Sequence, residues 1–109
     1  MKTRITVVRK VSYEDLLQQH WNHETFSEGS TGPCGLVEEG DSWEFDGWPD
    51  IPAGFPCNFA WADIRDDVAT VAFGGGQPWV AGAGRAMSCC NDGFRPVSFL
   101  IERIPDGEE

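Results

Sequence analysis

Four cysteines, two histidines, one acid cluster and one arginine are the residues of this 109-residue chain whose types and spacing bear on chemistry. The cysteines are Cys34, Cys57, Cys89 and Cys90, two far apart and two adjacent. There is no Cys-x-x-Cys knuckle, so the pattern is not a zinc ribbon. A Cys89–Cys90 disulfide would be strained, because neighbouring Cα atoms lie about 3.8 Å apart and disulfides usually span roughly 4.4 to 6.8 Å. In a strand the two side chains point to opposite faces, so at most one of the pair should join Cys34 and Cys57. Three thiolates with an open fourth position would suit one transition metal ion: zinc, copper or iron. Inert burial and disulfide formation are the alternatives.

His20 and His23 lie three apart near a helix end, a spacing that can put both rings on one face for metal or acid–base work. The competing reading is a solvated helix end whose positive character suits the dipole. Asp63, with Arg65, Asp66 and Asp67, crowds the start of an expected helix, where the macrodipole alone would explain acids. Trp61 and Ile64 beside Asp63 suggest partial burial, which would fit it for catalytic acid or base work. Arg95 follows a tight turn and could orient a carboxylate substrate bidentately, or pair internally with Asp63 or Asp92. Trp43, Trp48, Trp61 and Trp79 could line an aromatic pocket for a flat or apolar ligand, or fill the core of a small domain. Gly74-Gly75-Gly76 lacks the Lys and Ser/Thr of a phosphate loop and reads as a helix stop.

The elements that must position these residues are those of one small domain. Hydrophobic residues make up 40% of the chain, a globular composition. The net charge of −10 repels phosphate backbones and anionic lipid, which argues against nucleic-acid and membrane partners and leaves a small-molecule ligand. The apolar stretch near the N-terminus is too short for a signal peptide or a membrane span, so a cytoplasmic location with reduced thiols is expected.

A strand is expected over Thr3 to Arg9, rich in β-branched residues. Ser12 is the expected N-cap, with Asp15 completing a weak capping box, of a short helix from about Tyr13 to Trp21. Asn22 to Pro33 reads as a loop. A half-strand at Leu36-Val37 and the turn Glu39-Gly40-Asp41 lead into a strand from Ser42 to Asp46. A Pro/Gly-rich loop follows. The second helix is expected over Phe59 to Phe73, with Phe59, Ile64, Val68 and Val71 on one face. Ala86 to Cys90 and Pro96 to Ile104 read as a hairpin around Asn91-Asp92-Gly93, with Phe99 and Ile101 inward. Residues 105–109 form an acidic tail. The order β-α-β-β-α-β-β points to an α+β fold: a small single domain over 1–109 with a mostly antiparallel, curved sheet and two short helices.

Three stretches, Ala60-Trp61-Ala62-Asp63-Ile64, Ala72-Phe73-Gly74-Gly75 and Cys89-Cys90-Asn91-Asp92-Gly93-Phe94-Arg95-Pro96-Val97-Ser98-Phe99, resemble a family of small conserved hypothetical proteins of bacteria, archaea and fungi. Its pattern also has a Cys before a Glu-Glu-Gly turn, matched from Cys34 to Gly40, and a Cys after a Pro-x-Gly-Phe loop, matched by Pro52 to Phe55 and Cys57. The chain departs from that pattern in a longer segment from Asn22 to Gly32 and in Pro56, inserted before Cys57. The resemblance implies a single unit with these cysteine positions, and no particular reaction.

Taken together, the residues point first to a thiolate site of Cys34, Cys57 and one of Cys89 or Cys90 that binds a transition metal, with catalytic or redox activity open. The second reading is a metal-free lyase, isomerase or cyclase in which an aromatic pocket holds the ligand and Asp63, Arg95 or a histidine moves protons. The third is a non-catalytic binding or accessory module.

Overall fold

The computed structural model describes residues 2–27 and 32–105. The middle of the expected Asn22 to Pro33 loop, and the acidic tail after Pro105, lie outside the described residues. The elements are β1 (Lys2–Lys10), α1 (Glu14–His20), β2 (Ser42–Asp46), α2 (Asn58–Ala72), β3 (Arg85–Cys89) and β4 (Val97–Ile104). The strands form one antiparallel sheet in the order β2-β1-β4-β3, with α2 packed on β1, β3 and β4. The fold is α+β.

Period-two alternation builds the sheet's inner face. Thr3, Ile5 and Val7 of β1 and Val97, Phe99 and Ile101 of β4 are buried. Register aligns one inward row across all four strands, from Trp43 through Ile5 and Ile101 to Ala86. The pairing of β1 with β4 slips between Val7 and Arg9, a bulge at Val8 that bends and twists the strand. In α2, Ala60, Ile64, Val68 and Val71 recur at helical spacing and complete the core. Phe59 does not join that face and is 83% exposed. One residue before Ala60, it is turned about 100° round the helix from the buried stripe.

Three local expectations are corrected. Ser12 is not the N-cap of α1: Tyr13 holds that position without a side-chain bond, and the Ser12 hydroxyl donates to the Glu14 carboxylate instead. Leu36-Val37 is not a strand. That segment is tied down by Lys10, whose Nζ donates to the carbonyls of Cys34 (2.9 Å) and Val37 (2.7 Å), so the order is β-α-β-α-β-β. The first turn of α2 holds no acidic residue, because the helix starts at Asn58, so the macrodipole does not account for Asp63, Asp66 and Asp67.

The helix stop at Gly74 is as expected. Gly74 takes φ +101°, a conformation that suits only glycine well, and the N–H groups of Gly74 and Gly75 bond back to the carbonyls of Val71 and Thr70. The hairpin of β3 and β4 is also present, with Phe99 and Ile101 inward. Its connection is a longer loop, residues 90–96, in which Asp92 Oδ1 accepts the N–H groups of Phe94 (2.8 Å) and Arg95 (3.0 Å).

Candidate functional site: a thiol-lined cavity at the N-terminal end of α2

Three separate segments carry cysteines to one place. The first is residues 34–37, anchored by Lys10 as described. The second is the chain entering α2. There Pro52, Ala53, Gly54 and Phe55 make a turn closed by Phe55 N–H on Pro52 O (3.1 Å), with Gly54 at φ +81°, as a type II turn requires at that position. The turn aims Phe55 into the core, where it meets Trp43 (ring centroids 4.8 Å apart), Phe99 (5.9 Å) and Trp61 (6.1 Å). Cys57 then caps α2, its Sγ accepting the Ala60 N–H at 3.4 Å. The third is the β3–β4 loop, where Cys90 bonds Val97 twice: its N–H donates to the Val97 carbonyl (3.0 Å) and its Sγ accepts the Val97 N–H (3.3 Å).

Between these segments lies a cavity of about 520 Å³, within the usual range for small-ligand pockets. Cys34, Cys57 and Cys90 line it together with Asp63 and Arg95. Its apolar wall is built largely from Val37, Phe55, Val97 and Phe99, and Leu36 and Phe59 contribute exposed apolar surface. All four cysteines are free. Cys89 does not line the cavity and is exposed at the end of β3, so the adjacent pair diverges as strand geometry requires.

The charged lining is unevenly satisfied. Asp63 is exposed, not half-buried, and its Oδ2 accepts the Asn91 N–H at 2.7 Å, which ties the β3–β4 loop to α2. Arg95 lies with its Cζ 5.2 Å from the centroid of the Trp21 ring, and among the described residues it makes no ion pair with Asp63 or Asp92. Its Nε is buried and has no hydrogen-bond partner.

Other candidate residues lie elsewhere. His20 is exposed in the last turn of α1, and His23 points Nε2 at the Leu17 carbonyl (3.2 Å); neither lines the cavity. None of Trp43, Trp48, Trp61 and Trp79 lines it either. Trp43 and Trp61 back Phe55, Trp48 packs on Phe73 at the far end of α2 (5.2 Å), and Trp79 is 78% exposed. The aromatic wall is made of phenylalanines because the Gly54 turn delivers Phe55, and strand alternation delivers Phe99. Among the described residues no group of three His, Cys, Asp or Glu side chains is placed to hold one metal ion. Lys10 and Trp21, which fix Cys34 and Arg95, are the positioning residues that sequence reasoning missed. A lysine ending a strand, and a tryptophan after a helix, carry no signal of the distant segments they touch.

Among the described residues no helix is long and apolar enough to cross a membrane. Compared with models of known families, with curated proteins and with solved structures, the chain matches none.

Proposed function

We propose that this cavity is the binding site of a small molecule, and that the thiols of Cys34, Cys57 and Cys90 are its reactive groups. Arg95 anchors the ligand, and Asp63 is the acid–base group at its edge. The observation that carries this reading is convergence. Cysteines far apart in sequence, two acids (Asp63 and Asp92) and one arginine meet on a single cavity whose remaining lining is largely apolar. A reducing compartment, the cytoplasm, would keep those thiols available.

The test is a screen of small organic compounds against the intact chain, read by amide NMR and by iodoacetamide labelling. Binders should shift Ala60, Asn91 and Val97 and slow the labelling of Cys34, Cys57 and Cys90, while exposed Cys89 keeps reacting. Binders that shift only residues remote from α2 and leave all four labelling rates unchanged would remove the proposal.

A second reading, a soft metal ion on the same three sulfurs, is favoured by one feature. Two of the three, those of Cys57 and Cys90, already accept backbone N–H bonds, the kind of outer-shell support that thiolate ligands use. The sulfurs would have to close to about 2.3 Å from the ion. Elemental analysis of protein purified without chelator decides it: one equivalent of zinc, copper or iron, lost in each cavity Cys→Ser variant and kept in Cys89→Ser, supports a metal.

A further inference from the structure

The chemistry of Arg95 is unfinished in the fold. Its Nε is the sole buried side-chain nitrogen or oxygen without a partner among the described residues. Leaving such a donor unpaired is costly, and more so for a charged group. Acids are close by, yet neither pairs with the guanidinium: Asp92 Oδ1 accepts two backbone N–H groups and Asp63 Oδ2 a third. The guanidinium is held over Trp21 instead of being neutralised. A planar fork of donors fixed in this way matches a carboxylate, which it can bind through two parallel hydrogen bonds.

We infer that the ligand is a monoanionic organic acid: a single carboxylate for Arg95 on an apolar body that fills the wall of Val37, Phe55, Val97 and Phe99. The inference rests on the reading of the cavity as a binding site and adds the ligand's class. The start of α2 supports it, since Phe59 and Ala60 line the cavity where the helix N-terminus is positive. The rest of the charge limits it. With Asp63 and Asp92 in the same lining and −10 on the whole chain, each further negative charge on the ligand adds repulsion that the single guanidinium does not offset, so a monoanion is favoured over a phosphate dianion or nucleotide. Leu36 and Phe59, both exposed, extend the apolar surface for a longer body.

Matched pairs test this on the unmodified chain: 3-phenylpropionate against 3-phenylpropionamide, and octanoate against octanamide, with phenyl phosphate as the dianion. Each acid should bind roughly tenfold or more tightly than its amide, reflecting a charge-assisted hydrogen bond to Arg95. Phenyl phosphate should bind more weakly than 3-phenylpropionate. Arg95→Gln should erase the preference for the acid. Should that variant not fold, the acid–amide comparison on the unchanged protein still decides. Equal affinity of acid and amide, both shifting cavity residues, overturns the anion inference and leaves the binding site standing. Tighter binding of the phosphate overturns the monoanion. Failure of all five compounds to shift any cavity residue overturns both readings.

Discussion

The two ends of α2 each meet an arginine, and the two arginines are treated in opposite ways. At the C-terminal end Arg103 donates from Nη2 to the Gly75 carbonyl (2.7 Å) and from Nε to the Val71 carbonyl (3.3 Å), the latter also accepting the Gly74 N–H. At the N-terminal end Arg95 has a buried Nε with no acceptor and a cavity beside it. The C-terminal end is closed by the fold's own groups: the glycine cap, its two backbone bonds and Arg103. The N-terminal end is capped by a sulfur, a weaker acceptor than the oxygen of serine or aspartate. It is bordered by a loop that leaves one buried donor, Arg95 Nε, unanswered. The proposed site thus lies at the end of the helix that the fold's own groups close less completely.

The largest effect should come from the residue that belongs to both the core and the cavity. Phe99 is 1% exposed and also forms part of the cavity wall. Phe99→Ala should destabilise the domain by about 3–5 kcal/mol in urea unfolding, the usual range for removing a buried aromatic ring. A loss below roughly 1 kcal/mol would show that the cavity end is not packed onto the core, and the two ends would then have to be treated as separate units.

The arginines themselves come next. Arg103→Met should cost about 1–3 kcal/mol, because it removes the donor to the Gly75 carbonyl and the second donor to the Val71 carbonyl. Arg95→Met removes an unpaired buried donor and keeps an apolar stem against Trp21, so stability should hold or rise. Equal losses in the two variants, measured side by side, would mean that the Trp21 contact makes Arg95 a structural residue. The contrast between the two ends would then fail.

This contrast also marks what could be read from the sequence. The inward rows of β1 and β4, the stop at Gly74 and the inward Phe99 and Ile101 follow from local periodicity and glycine chemistry, which act within a few residues. The expected half-strand at Leu36-Val37 is absent because the geometry there is set by Lys10, which precedes Cys34 by 24 residues with α1 between them and reaches two carbonyls no local pattern reveals. The Ser12 cap failed for a related reason: Glu14, two residues on, takes the hydroxyl first and also accepts from Gly32. At the site, strand alternation was enough to separate Cys89 from Cys90. Which aromatic residues form the wall was not legible, since the tryptophans are heavy but the Gly54 turn and the register of β4 bring phenylalanines to the cavity.

The smallest effect tests the weak cap directly. Cys57 accepts the Ala60 N–H through sulfur at 3.4 Å, where a serine hydroxyl would be an established N-cap acceptor. Cys57→Ser should therefore change stability by less than about 0.5 kcal/mol, or raise it slightly, while removing one cavity thiol from the iodoacetamide count. Cys57→Ala, which has no acceptor, should cost about 1 kcal/mol. If serine also cost 1 kcal/mol or more, the sulfur would be acting through its packing against the neighbouring apolar wall and not through the cap. If serine is neutral, the fold does not require sulfur at this position. Its presence at the mouth of a helix, beside two other thiols and the partnerless Nε of Arg95, would then accord with the proposed role of sulfur as a reactive group or ligand.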